Sequence, residues 1–128
     1  MYAVELDRSK RLLVISAAQK VTSEEAKIAA QRIGEVLQDV APGFRVLADF
    51  RGLQSMDSAA APHIAKMMDA LAEKEVASVT RVIPDPRKDI GLNILSQFHY
   101  GPDVTLTTFE TLADAVQSIA AKADSSPA

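Results

Sequence analysis

The sequence of 128 residues contains no cysteine. This absence excludes disulfides, thiolate metal sites and cysteine nucleophiles together, and it fits the reducing environment of the cytoplasm, which is the expected location. The sequence also lacks an apolar run approaching the roughly 18 residues of a membrane span, and its first residues lack the basic and then apolar pattern of a signal peptide. We therefore expect a soluble cytoplasmic protein with no transmembrane segment.

Runs of charge of one sign are missing as well. The 14 basic and 17 acidic residues are interspersed and leave a net charge of −3, so nothing in the sequence attracts a nucleic-acid backbone. With 48% hydrophobic and 24% charged residues, the composition is that of an ordinary globular protein. This length predicts a single domain over residues 1–121, followed by a frayed tail over residues 122–128.

Motifs of enzymes and metal proteins are not found. His63 and His99 belong to no ligand set such as His-Glu-x-x-His, and the nucleophile pattern Gly-x-Ser-x-Gly is absent. Asp49, Asp57 and Asp85 follow or end predicted strands and could converge at one edge of a sheet, but loop acids are more often caps and solvated turns. We predict no catalytic residue, no metal and no cofactor.

The first part of the chain has clear local signals. Alternation over Tyr2–Leu6, a polar turn and an apolar run over Arg11–Ile15 predict a β-hairpin. Thr22 and Glu25 have the spacing of a capping box, in which each residue satisfies an amide of the other. They open a predicted amphipathic helix over Ser23–Val40.

Strands then alternate with helices. The predicted strands are Phe44–Phe50, ended by Arg51 and Gly52, then Val76–Ile83 and Val104–Phe109. The predicted helices run from Asp57 or Ser58 to about Glu75, along a stripe of Ile90, Ile94, Leu95 and Phe98, and from Thr111 with Leu112, Ala115, Val116 and Ile119 facing inward. The resulting order, ββαβαβαβα, predicts an α/β fold whose sheet is mostly parallel, with an antiparallel N-terminal hairpin and flanking helices.

Several of these segments resemble a known family. The strand VLADFRGL, the loop QSM, the helix start at Asp57 and Ser58, and the later RVIPDP are similar to the STAS domain of anti-sigma-factor antagonists. They are more similar still to the small stand-alone bacterial proteins grouped as SpoIIAA-like. The resemblance implies a STAS-like fold over nearly the whole chain and a non-enzymatic binding or regulatory role.

The loop departs from the pattern of that family. Phosphorylated antagonists carry Asp-Ser-Ser-Gly or Asp-Thr-Ser-Gly, and the phosphate acceptor is the hydroxyl residue before the glycine. Ala59 stands at that position and Ala60 replaces the glycine, so Ser58 could serve only after a shift of one residue. The usual phosphorylation switch is therefore not expected.

Two functional hypotheses follow. In the first, a protein partner or a second copy of the chain binds at the loop and helix after Ser58. The candidate residues of this surface are Arg51, Asp57, Ser58, Ala59, His63 and Met67. A helix N-terminus beside Arg51 would also suit an anion, but the preferred interpretation is that Asp57 and Ser58 only cap the helix.

In the second hypothesis, the protein carries or senses a small lipophilic or anionic ligand between its helices, as the distantly similar CRAL-TRIO lipid carriers do. The candidate apolar pocket is formed by Ile64, Met68, Ile94 and Phe98, beside Met67. Methionine adapts to varied apolar partners, although ordinary core packing explains the same stripe.

Overall fold

The computed structural model describes residues 1–83, 100 and 103–125, with side chains described through residue 121. Its five strands form one sheet in the order β1-β2-β3-β4-β5. The strands are β1 (Tyr2–Asp7), β2 (Leu12–Val21), β3 (Arg45–Met56), β4 (Ser78–Val82) and β5 (Thr105–Phe109). The helices of the described residues are α1 (Ser23–Leu37), α2 (Ala61–Glu73) and α3 (Leu112–Ser125). The predicted α/β fold is confirmed.

The hairpin and the parallel pairings agree with the sequence. β1 runs antiparallel to β2, with Leu6 opposite Leu13, and β2, β3, β4 and β5 pair in parallel. The Asp7 carboxylate accepts hydrogen bonds from Ser9 Oγ at 2.7 Å and from the Lys10 amide at 3.1 Å, which closes the turn.

Helix α1 begins at the predicted capping box. Thr22 Oγ1 accepts the Glu25 amide at 3.1 Å and satisfies one of the donors that a helix start leaves open. The helix ends at Leu37, three residues before the predicted end at Val40, and Val40 is itself buried in the core.

The sheet separates two apolar layers. The larger core, on the side of α1 and α2, contains Leu13, Ile33, Phe44, Val46, Leu71 and Val79. The smaller one, on the side of α3, contains Leu47, Val82 and Ala115. Neighbouring residues of β3 thus enter opposite cores, as expected for a central strand that is covered on both faces.

The predicted end of β3 at Arg51 and Gly52 is wrong, because the strand continues to Met56. Its pairing with β2 shifts register twice, between Ser16 and Ala18 and again between Gln19 and Lys20. Each shift places one extra residue on β3, which is the signature of a β-bulge.

The bulges explain why the sequence pattern does not reveal this part of the strand. Phe50, Leu53 and Met56 are spaced by three, which does not fit the period of two of a regular strand. All three nevertheless pack against one cluster that contains Val21 and Ala60. The two extra residues place all three side chains on the same face of the sheet.

Gly52 permits the close approach of the two strands between these bulges. A Cβ atom built on Gly52 would lie 3.0 Å from the Cβ of Ala18, the residue that it pairs with on β2. The glycine that the sequence suggests as a strand breaker is therefore the residue that allows the pairing to continue.

Three further predictions have different outcomes. Val116 is predicted to face inward but is 48% exposed, whereas Ala115 is fully buried as predicted. The predicted helix through Ile94 and Phe98 lies outside the described residues. The boundary between the domain and the tail at residue 121 stays a prediction, and the backbone of α3 runs through Ser125.

We predict that Gly52→Val lowers the free energy of unfolding by about 1–3 kcal/mol, because the new side chain overlaps Ala18. Gly34→Ala is the matched control. Gly34 lies within α1, and a Cβ added to it would have no other atom within 4 Å, so alanine should raise the stability by about 0.5–1 kcal/mol. Urea unfolding followed by circular dichroism measures both, and a Gly52→Val protein as stable as wild type would contradict this register.

Candidate functional site

The carboxyl-terminal half of β3 carries the predicted partner site. The β3–β4 ladder reaches Asp49 opposite Val82, while the β2–β3 ladder continues to Met56 opposite Val21. The last part of β2 and β3 thus forms a two-stranded arm beyond the β4 ladder. The loop after Met56 leaves the sheet at the end of this arm.

A single turn of 3₁₀ helix, Ser58–Ala60, connects the arm to α2. The Asp57 amide donates to the Val21 carbonyl at 3.0 Å, and the Ala60 amide donates to the Asp57 carbonyl at 2.9 Å. Ala60 is fully buried, whereas Ser58 and Ala59 are exposed. The backbone of the turn is therefore fixed at both ends while its middle faces solvent.

The prediction that Asp57 and Ser58 cap the helix is wrong in its mechanism. No side-chain cap is made at the start of the 3₁₀ turn or at the start of α2. At the start of α2, the Ala60 and Ala61 amides donate to the carbonyls of Asp57 and Ser58, and Pro62 has no amide hydrogen, so these residues leave no donor for a side chain to cap. The Asp57 carboxylate instead lies 3.4 Å from Lys20 Nζ on β2.

Arg51 is committed to a different carboxylate. Its guanidinium makes a bidentate contact with Asp49, with Nε and Nη2 at 3.0 and 2.9 Å from the two oxygens. These hydrogen bonds from Arg51 hold the pKa of Asp49 below its ordinary value. Asp49 on β3 and Asp57 after it thus have separate cations, Arg51 and Lys20. The third acid of the predicted group, Asp85, lies outside the described residues.

The remaining predicted residues lie on α2. His63 and Met67 are half-buried, and Met67 packs against the main core. Ile64 packs against the cluster of Ala17, Val21, Ala26 and Ala60, while Met68 is only 6% exposed. The surface after Ser58 therefore consists of the exposed turn and the first turn of α2, with the methionines lying inward.

A cavity of about 80 Å³ lies between α1, α2 and the sheet. Ile64, Met67 and Met68 of the predicted pocket line it, together with Phe50 and Met56 from the arm. Ile94 and Phe98, the other members of the predicted pocket, lie outside the described residues. The cavity is smaller than the roughly 150 Å³ that accommodates benzene in an apolar protein interior.

Arg81 on β4 is a buried charged residue that lines this cavity and that the sequence does not reveal. Its position shortly before a proline-rich loop suggests a solvated helix entrance, but it is 4% exposed. Its Nε and Nη2 donate to Thr108 Oγ1 at 3.1 and 2.7 Å. Tyr100 also lines the cavity, and burial raises the pKa of its phenol. The only sequence signal for this placement is that Arg81 follows Val79 by two residues on the same strand. Side chains two residues apart on a strand lie on the same face of the sheet.

Metal clusters and membrane-spanning helices are absent from the described part of the chain. Those residues contain no group of three or more histidine or acidic side chains placed to hold a metal ion. Within the same residues, no helix combines the length and the apolar character that crossing a bilayer requires.

We predict that Ser58→Ala changes the free energy of unfolding by less than about 0.5 kcal/mol, because the hydroxyl caps no helix. Thr22→Ala, which removes an observed cap, should cost about 0.5–2 kcal/mol. Chemical unfolding of both variants measures the difference. Equal losses for the two would mean that Ser58 stabilises the start of α2 after all.

Comparison with known proteins identifies the fold. No family model and no curated protein matches the sequence. Among solved structures, an uncharacterised protein with a SpoIIAA-like fold from Shewanella loihica matches with a TM-score of 0.71 and 21% identity over 92% of this chain and 93% of its own. The unphosphorylated anti-sigma factor antagonist SpoIIAA matches with a TM-score of 0.64 and 17% identity over 94% and 98%. An anti-sigma factor antagonist from Mycobacterium paratuberculosis gives 0.59 and 19% over 94% and 95%. The chain has the SpoIIAA-like fold.

Proposed function

We propose that the protein is a non-enzymatic binding module that contacts a protein partner through the exposed turn Ser58–Ala60 and the first turn of α2. The observation that carries this proposal is the fixed yet exposed backbone of the turn. Hydrogen bonds to Val21 and Asp57 hold it, and the buried Ala60 anchors it. A partner would not have to order this segment on binding, which lowers the entropic cost of association.

The chemistry of the surface also favours contact over catalysis. Ser58 and Ala59 are small and exposed, so a partner backbone can approach closely. The nearby charges are engaged within the molecule, Asp57 by Lys20 and Asp49 by Arg51. This supports recognition by shape.

The structural relatives supply the class of partner that we propose. SpoIIAA is described as an anti-sigma factor antagonist and has been solved in phosphorylated and unphosphorylated forms. By analogy of fold, we propose a regulatory protein as the partner. Because Ala59 has no hydroxyl at the position of the acceptor in the family pattern, we propose that binding does not depend on phosphorylation there.

Site-specific photo-crosslinking in the native host tests this surface. We predict that a photoreactive residue at position 59 captures a partner protein or a second copy of the chain. The same group at Glu35, which is exposed on α1, should capture neither. The captured species is then identified by mass spectrometry.

Competition separates specific capture from chance collision. Excess wild-type protein should abolish the crosslink, and so should Gln31→Arg, a control on the exposed side of α1. Ala59→Arg should fail to compete because its side chain obstructs the turn. If Ala59→Arg competes as well as wild type, the proposed surface is wrong.

The cavity beside α2 favours a second candidate function, a carrier or sensor of a small apolar ligand. The surface of its described walls is almost entirely apolar, and Glu25 also lines it, so the ligand that we propose is uncharged. A volume of about 80 Å³ suits only a few non-hydrogen atoms, so a long lipid chain would require the helices to move.

We predict for this second candidate that native mass spectrometry of protein from its own cells shows a bound small molecule. Ala48→Val, which adds volume at the cavity wall, should lose it, while the exposed control Ala113→Val should retain it. Thermal unfolding confirms that both variants are folded. A wild-type protein that carries no adduct would exclude this function.

A further inference from the structure

A groove lies at the opposite end of the sheet from the turn Ser58–Ala60. The first residues of four adjacent strands line it, namely Leu12, Arg45, Ser78 and Thr105. Its volume is about 910 Å³, which is within the range of ligand-binding clefts. Ligands of open α/β sheets usually bind outside the carboxyl ends of the strands, so the fold by itself does not account for a groove at the amino ends.

The charge of this groove is opposite to that of the whole protein. Lys10, Arg11 and Arg45 line it, and no carboxylate is found among its described lining residues, although the chain has a net charge of −3. Asp7, the nearest acid in the sequence, accepts from the Ser9 hydroxyl and the Lys10 amide of the hairpin turn. The groove is therefore a local positive region on an acidic protein.

The described partners of the two arginines are neutral. Arg45 donates from Nη1 to the Ile119 carbonyl at 3.0 Å and from Nη2 to the Lys10 carbonyl at 3.4 Å. Arg11 donates to the Pro42 carbonyl. Carbonyl groups orient a guanidinium but do not neutralise its charge, so both arginines are held in place and still attract an anion.

An apolar part of the lining belongs to α3. Val116, Ile119 and Ala120 line the groove, and Val116 is 48% exposed. Ser9, Ser78 and Thr105 also line the groove. A ligand that fits this lining combines negative charge with an apolar side chain.

The length of the groove favours a peptide. Four adjacent strands span about 14 Å at roughly 4.8 Å per strand spacing, and an extended chain covers that distance with about four residues. A single small carboxylate would contact only part of this span. We propose that the groove binds a short acidic segment of a partner protein, with carboxylates facing Lys10, Arg11 and Arg45 and an apolar side chain against Val116.

Fluorescence anisotropy with a defined probe tests the proposal. The probe is a short labelled peptide that alternates glutamate with leucine. Peptides that replace glutamate by lysine, or leucine by serine, are its controls. We expect saturable binding of the glutamate–leucine peptide, and binding at least about tenfold weaker for the lysine–leucine peptide because its charges are repelled. The glutamate–serine peptide should bind at least about threefold more weakly, because it has no apolar side chain to pack against α3.

Variants of the protein locate the binding. Lys10→Glu should weaken binding about tenfold, since it reverses an exposed charge in the groove. Lys27→Glu makes the same change on the exposed side of α1 and should alter binding by less than about twofold. Lys10→Gln is the milder variant if the reversal affects folding. Equal effects of the Lys10 and Lys27 variants, or none from either Lys10 variant, would overturn the proposal.

Two further probes distinguish other sources of negative charge. Citrate represents small carboxylates, and vesicles of phosphatidylglycerol represent an anionic membrane. If either binds in a Lys10-dependent way while the glutamate–leucine peptide does not bind, a protein segment is the wrong ligand. Weak competition by citrate at millimolar concentration, together with tight peptide binding, supports a protein segment as the ligand.

Discussion

The rest of the structure depends on the pairing of β2 with β3. This ladder runs from Leu12 opposite Arg45 to Val21 opposite Met56, and it absorbs two bulges on β3 along the way. Without the extra residues, Leu53, an odd number of positions from both Phe50 and Met56, would point to the opposite face and leave the cluster that contains Ala60. The bulges thus link a packing requirement in the core to the position of the exposed turn. Gly52 makes the link sterically feasible, because Ala18 occupies the space that a larger side chain would need.

Much of the fold could be predicted because its signals are local. The capping box at Thr22 and Glu25 acts within one helical turn, the hairpin depends on its own polar turn, and Ala115 follows the helical period of its neighbours. Each of these features involves residues close in sequence, so a single sequence contains the information. The order of strands and helices then restricts the sheet to a small set of topologies, of which the observed one is a member.

The parts that sequence reasoning misses depend on residues distant in sequence. The second half of β3 has no strand period of its own, and only its pairing with β2 shows why Phe50, Leu53 and Met56 share a face. A side-chain cap is absent at the start of α2, where the Ala60 and Ala61 amides already donate to carbonyls of the preceding 3₁₀ turn. At the candidate site, the exposure of Ser58 and Ala59 agrees with the predicted surface, which itself stays a prediction. The partner of Asp57, Lys20 on β2, could not be assigned without knowing that β2 pairs with β3.

The two proposed surfaces lie at opposite ends of the same strands, which constrains how they could act together. β3 extends from Arg45 in the basic groove to Met56 beside the exposed turn, a span of about 36 Å at roughly 3.3 Å per residue. A single short peptide cannot contact both ends. The first half of the strand, which carries Val46 and Leu47, is packed on both faces, so binding at the groove is not expected to reshape the turn. Cooperation would therefore require one extended partner or two linked ones, in which case the gain in affinity comes from effective concentration and depends on the length of the connection.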